Sequence, residues 1–355
     1  MHKPTWQSGR VEPGSGGQRS TPPSLGGVRL VRALCVPLAT LAAPALAQSP
    51  FATRVIAFNP APGQFVQHPQ FNDAARALGA PIGGGTIAPD LTKLVSLGGF
   101  GGCLTLGFDH RILDDPRNPM GLDAIVYGNA SFVNGHPNRR FAEAATIEIS
   151  LDANGNGLAD DAWLVVRGPQ LPLVPQASIA GVTWDDNIPD PTFAPAEPSW
   201  IPQGRTGQWQ TWAYALPALF AGPVVVNPLG LGSSTEAVWG LADHTPTLLL
   251  GDLDGDNMVD DPGTSPAWFY TIPDDPFAVG ITPGSGGGDA FDIAWAVDPA
   301  TGLPANLPGF DFIRLTTAID SVHATFGEIS AEIGGVADVR FLGKRATTTR
   351  IVGPG

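Results

Sequence analysis

Glycine and proline interrupt this chain so often that little room is left for a long helix: there are 45 Gly and 36 Pro in 355 residues. Inside a helix a glycine costs about 1 kcal/mol and a proline about 3 kcal/mol relative to alanine, so a helical bundle is excluded. Disorder is excluded too. Apolar residues make up 43% and charged residues only 15%, and apolar side chains repay the entropy of ordering a chain. What remains is a loop-rich β-protein.

Period-2 alternation places the strands. Ile147, Ile149 and Leu151 alternate with Thr146, Glu148 and Ser150; Phe291, Ile293, Trp295 and Val297 alternate with Asp292, Ala294 and Ala296; Ile329, Ala331 and Ile333 alternate with Glu328, Ser330 and Glu332. Further strands are predicted at 122–127, 163–166, 209–214, 224–226, 247–250, 268–272 and 312–316. One apolar and one polar face is the pattern of antiparallel sheets packed on one side. Helix is predicted only at 72–79, for about two turns, in a stretch with an N-cap residue at its start (Asn72-Asp73) and Gly79 at its end. The expected fold is an all-β antiparallel β-sandwich, jelly-roll-like, with long Pro/Gly-rich loops.

Residues 28–47 carry Arg29 and Arg32, an apolar core at 33–43 and a small-x-small site at Ala45-Leu46-Ala47. This is the three-part pattern of a cleaved secretory signal, and the apolar run is about half the length of a bilayer-spanning helix. The expectation is an N-terminal extension plus signal at 1–47, one domain at 48–345 with an ordered Pro-rich insertion at 168–207, and a tail at 346–355. Removing the leader's five basic residues and one acid takes the counts from 19 and 33 to 14 and 32, a net charge of −18. Such a surface repels phosphate backbones, so nucleic acid is not an expected partner. Cys103 then stands alone, which excludes an intramolecular disulfide, and the alternating run 103–108 reads it as a buried structural thiol.

The sharpest signal occurs twice. Asp152, Asn154, Asn156, Leu158 and Asp160 occupy positions 1, 3, 5, 7 and 9 of one loop; Asp252, Asp254, Asp256, Met258 and Asp260 occupy the same positions of another. Calcium takes six to eight hard oxygen ligands, and side chains at positions 1, 3, 5 and 9 plus the carbonyl of position 7 supply such a set. Position 6 needs a positive φ, which suits Gly157 and is tolerated by Asn257. Position 12, where an EF-hand has a bidentate Glu, is Trp163 in one loop and Gly263 in the other. Affinity is therefore expected at the weak extracellular end, on the order of 10⁻⁴ to 10⁻³ M. Both loops are similar to the calcium loops of dockerins and thrombospondin type-3 repeats, set here between predicted strands. The expected cofactor is Ca²⁺ at two structural sites.

Several phrases together resemble a family of secreted or cell-surface bacterial β-rich proteins of uncharacterised function: SLGGFGGCLTLGFD (96–109), GLDAIVYGNA (121–130), EISLDANGNGLADDAW (148–163), GGGDAFDIAWAVD (286–298), DFIRLTT (311–317) and GEISAEI (327–333). The resemblance implies an exported β-rich protein and imports no mechanism. Ligand capture beside surface uptake systems is one role it leaves open.

Enzyme signatures are weak. No G-x-S-x-G or H-E-x-x-H occurs, and His110, His136, His244 and His323 are scattered singly, as surface or loop histidines are. The glycines at 98–102 lack the Lys-Ser/Thr of a phosphate loop and read as a tight bend between closely approaching backbones. Strand-associated acids (Asp109, Asp123, Asp289, Asp292, Asp311, Glu328, Glu332) leave a glycosidase-like carboxylate pair open. Trp209 and Trp212, in a polar run, are the candidate sugar-stacking rings. The expected function is a secreted, calcium-stabilised β-sandwich acting as an extracellular or cell-surface binding module for glycans or another surface component. A secreted hydrolase and a structural envelope protein are the alternatives, and an enzyme is the less favoured of these readings.

Overall fold

The computed structural model describes residues 48–339, apart from 62–64, 67, 100, 168–239, 275–278, 281, 319–321, 324–326 and 329; within 168–239 it describes the backbone of four three-residue strands. The leader, the tail and the predicted strand at 224–226 lie outside the described residues. Among those described, no helix is long and apolar enough to cross a membrane.

The described chain is all-β and antiparallel. Its principal strands are β1 (Arg54–Asn59), β2 (Cys103–Leu113), β3 (Ala124–Tyr127), β4 (Ala145–Ser150), β5 (Trp163–Val166), β6 (Leu241–Ala242), β7 (Asp289–Phe291), β8 (Ala296–Val297), β9 (Gly309–Thr317) and β10 (Gly335–Asp338). Seven of them form one sheet in the order β1-β2-β9-β4-β5-β8, with β6 pairing β4; three form a second in the order β7-β3-β10. Short pairs complete the picture, among them Glu332–Ile333 on Val95–Ser96.

One apolar cluster takes side chains from both sheets: Leu104 and Leu106 of β2, Ile147 and Ile149 of β4, and Ile313 and Leu315 of β9 meet Ala124, Val126, Phe291 and Val336 of the smaller sheet. The other face of β3 feeds a second cluster, where Ile125 and Tyr127 pack with Leu248, Phe269 and Tyr270. This is why Ala-Ile-Val-Tyr does not alternate: a strand buried on both faces needs apolar residues at every position.

The larger sheet corrects the expectation of a solvated polar face. All six residues of β4 are buried, Thr146, Glu148 and Ser150 included. Glu148 is matched by Arg314 across the strand pair at 2.7 and 2.8 Å, and the guanidinium lies 4.3 Å over the Trp163 ring. A buried charge persists where a bidentate partner and an aromatic face replace water.

Several predicted elements differ from those observed. The helix at 72–79 is a single 3₁₀ turn, Ala74–Ala77, capped by Asp73: its carboxylate accepts from Ala75 N at 3.0 Å. The run at 291–297 is broken because Asp292 accepts from Ala294 N at 2.7 Å, starting a 3₁₀ turn at Ile293–Trp295. Residues 268–272 are not a strand, since Pro266 at the first position sets a helical turn, Pro266–Phe269. Residues 247–250 contribute only a bridge from Thr247 to Gly287. Within the predicted insertion at 168–207, Ala177–Ile179 and Thr183–Asp185 are strands rather than loop; they pair with Tyr214–Leu216 and Gln208–Gln210 beyond it, where a single strand at 209–214 is predicted.

The bend at 98–102 is as expected: a Cβ on Gly98 would lie 1.9 Å from the Ala61 carbonyl oxygen, and one on Gly102 1.9 Å from that of Leu97. Cys103 is buried at the start of β2, and burial pushes its thiol pKa up to about 12.

Candidate metal centres

The first acidic loop joins β4 to β5, whose pairing runs from Ser150 opposite Trp163. It is the strand-flanked loop that the sequence predicts. Its root is clamped from outside. Asp311 of β9 accepts from Asp152 N at 2.8 Å and is ion-paired with Arg111 of β2 at 2.9 Å, while Arg111 donates to the Asp152 carbonyl at 3.1 Å.

Inside the loop the acidic and amide side chains converge. Asp152 accepts from Asn156 N at 3.0 Å and Gly157 N at 2.7 Å. Asn154 and Asn156 both turn their amides on Asp160, at 3.3 and 3.0 Å. Gly157 has φ 75°, the left-handed turn that position 6 demands. The tip itself is exposed from Ala153 to Leu158.

The second loop has the same internal pattern on a firmer base. Asp252 is fully buried; one oxygen accepts from Gly255 N at 2.7 Å and the other from Asn257 N at 3.0 Å. Asp254 accepts from Asp256 N at 3.2 Å, Asp256 from Met258 N at 2.8 Å, and Asp260 from Leu253 N at 2.9 Å. Carboxylate oxygens of Asp252, Asp254 and Asp260 lie within 4.8 Å of one another. Burial, opposed by the two N–H donors and reinforced by the Asp256 and Asp254 charges, leaves the Asp252 pKa above the ordinary value. That is the electrostatic state a divalent cation relieves.

The loop rests against Gly280. Gly255 and Gly280 touch so closely that a Cβ on Gly280 would sit 2.5 Å from the Asp254 carbonyl oxygen. Asp274, itself buried, accepts from Gly280 N and, at 3.2 Å, from Thr282 N. The side chains of Leu158 and Met258 are 58% and 66% exposed. Neither is held by packing, so what those positions offer a cation is the backbone carbonyl.

The donors are all hard oxygens, in the sequence order calcium loops use, and both position-6 residues have the required φ. Asp252, Asp254 and Asp260 of the second loop could hold a hard cation. The second loop differs from expectation in setting: it leads into a helical turn, and Trp268 lies on that turn rather than on a strand.

A third carboxylate group was not legible in the sequence. Glu143, Asp243 and Glu332 each place an oxygen within 4.8 Å of the other two, and they are 7%, 0% and 2% exposed. Asp289 lies close enough for its charge to raise the Asp243 pKa further. Asp114, Asp123 and Asp292 form a fourth group of the same spacing. There Asp123 is already occupied by Asp115 N, the Asn118 amide and Ile293 N, and burial raises its pKa to about 6.

His110 corrects the expectation of a surface or loop ring, since it lies in β2, and His244 is a loop residue that is buried rather than on the surface. His244 is buried, and burial, helped by the Arg140 charge, lowers its pKa to about 3. His110 is clamped between Asp109 and Asp338, each at 2.7 Å. It borders a surface cavity of about 470 Å³ that Gln48, Arg111, Asp115, Arg117 and Asp338 also line.

Trp209 stands in a strand opposite Trp184, with only its backbone described, and Trp212 lies outside the described residues. Of the other candidate acids, Glu332 and Asp289 fall at the buried group, Asp123 and Asp292 at the fourth, Asp109 on His110 and Asp311 beneath the first loop. No protein-family model matches the chain, and no curated protein matches it.

Proposed function

We propose that this chain is an exported, calcium-stabilised β-sandwich that acts as an extracellular or cell-surface binding module for a hydroxyl-rich ligand such as a glycan. The observation that carries it is the second acidic loop, where Asp252, Asp254 and Asp260 converge on a backbone already turned for a cation. A chain without an intramolecular disulfide, carrying a signal-like leader and such loops, gains its rigidity outside the cell from calcium.

The cavity beside His110 is the place for the ligand. Its lining mixes guanidinium donors (Arg111, Arg117), carboxylate acceptors (Asp115, Asp338) and an amide (Gln48), the two-way hydrogen bonding that sugar hydroxyls need. The hydrolase alternative has less support, because the raised-pKa pair Glu143 and Glu332 is buried, where no substrate reaches it.

A glycan array probed with the full chain, in calcium and in EDTA, tests this. Binding to a defined set of sugars, weakened by Arg117→Ala, supports the module. Silence across the array in both conditions would instead leave the structural envelope role.

A further inference from the structure

We infer that Glu143, Asp243 and Glu332 form a buried site for a hard divalent cation such as calcium, separate from the two surface loops. The three come from distant parts of the chain: Glu143 precedes β4, Asp243 follows β6, and Glu332 lies in the short strand paired with Val95–Ser96.

Their partners are neutral. Asp243 accepts from Asn129 N at 2.8 Å, Ala130 N at 3.1 Å and Glu332 N at 3.0 Å. Glu332 accepts from the Ser96 and Ser330 hydroxyls at 2.9 and 3.2 Å and from the Asn129 amide at 3.1 Å. No ion pair among the described residues reaches the three acids. Three carboxylates without a cationic side chain repel one another strongly in an interior from which water is excluded.

Protons relieve part of this, since Glu143 and Glu332 share a hydrogen bond. Glu143 Oε1 is buried with no hydrogen-bond partner, and a buried oxygen left bare is what a bound cation satisfies.

The backbone is cleared for this arrangement. A Cβ on Gly128 would stand 2.1 Å from Asp243 Oδ1, and Asp243 itself is held at φ 58°. The ligands are all oxygen, which selects a hard cation.

Burial gives the test its discrimination, because the surface loops exchange freely and this site does not. The full chain is refolded with calcium as the sole divalent cation, dialysed against metal-free buffer, and its bound calcium measured by atomic emission. About one equivalent per chain should remain, released by EDTA only on unfolding, because weak loop sites at ~10⁻⁴ to 10⁻³ M empty on dialysis. Glu143→Gln should cut the retained calcium at least tenfold. If that variant does not fold, Asp152→Asn combined with Asp252→Asn decides: retention of the ion there assigns it to the buried group, and its loss assigns it to a loop and overturns the site. A folded, unmodified chain that retains no calcium overturns it as well, leaving a proton-sharing carboxyl cluster.

Discussion

Asn257 Oδ1 accepts two hydrogen bonds from Thr86, from the backbone N–H at 2.6 Å and from the hydroxyl at 2.9 Å. Asn257 is also the position-6 residue of the second acidic loop, with φ 68°. One side chain therefore both turns the loop and fastens it to residues 83–86, where Gly85 leaves room because a Cβ would lie 2.5 Å from that same oxygen. Asn257→Ala loses both bonds and places a Cβ-bearing residue without local hydrogen bonds in the left-handed region. It should destabilise the calcium-free protein by about 2 kcal/mol. Asn257→Gly should cost less, since glycine carries no penalty for that φ. Urea denaturation of the three proteins in EDTA checks the order.

The two loops should not contribute equally. Each cation site adds about 2.7 kcal/mol at 100-fold excess over its Kd, and a domain of this size gains about 2 °C per kcal/mol. Saturating calcium should therefore raise Tm by roughly 5 °C or more per site. Asp252 is buried and grips two loop N–H groups from within, whereas the first loop projects with its tip exposed. Preorganisation lowers the ordering cost of binding, so Asp252→Asn should abolish more of the calcium-dependent Tm shift than Asp152→Asn. Differential scanning fluorimetry across a calcium titration measures both. An equal loss would mean the anchoring of the second loop does not matter.

The Glu148–Arg314 pair binds the two central strands of the larger sheet on a face that the sequence pattern marks as polar. Removing Arg314 alone leaves Glu148 buried without its counter-charge and strips the cation from the Trp163 face. Arg314→Ala should cost about 3 kcal/mol. Replacing both partners, Glu148→Leu with Arg314→Met, should cost clearly less, because no lone charge remains. A double-mutant cycle by chemical denaturation gives the coupling.

Contiguous features were the legible ones. The acidic loops each hold their donors within nine residues, so spacing alone displays the chemistry. β4, β5 and β9 carry enough β-branched and aromatic residues to be located from sequence. Strand prediction failed where a side chain or a ring competes with the ladder: Asp292 draws Ala294 N into a turn, and Pro266 presets a helical one. The buried carboxylates were illegible for a different reason. Glu143, Asp243 and Glu332 are about a hundred residues apart, and only sheet pairing brings them together. Nothing local distinguishes Glu332 from the solvated acid of an alternating strand.

Asp289 and His244 make opposing contributions to the pH dependence of stability. Burial raises the Asp289 pKa to about 7, against backbone donation from His244 and Thr245 and the Arg140 charge, which lower it. An acid whose folded pKa exceeds its unfolded value of about 3.9 binds more protons in the native state. Its stabilising contribution is complete below about pH 4 and is lost as pH rises towards 7. His244, with its pKa lowered to about 3, binds fewer protons when folded and acts in the other direction, adding stability as pH rises from about 3 to 6.5. The two slopes partly cancel in the unmodified chain, so the informative quantity is a difference. Asp289→Asn keeps an acceptor for His244 N and Thr245 N and puts an amide where Oδ1 has no hydrogen-bond partner. Relative to the unmodified protein, the variant should therefore become progressively more stable between about pH 4 and 7 and hold that gain above. Urea midpoints in EDTA at pH 4, 5.5, 7 and 8 trace the difference curve. A flat difference would mean that Asp289 is already ionised at pH 4, with Arg140 supplying more compensation than burial removes.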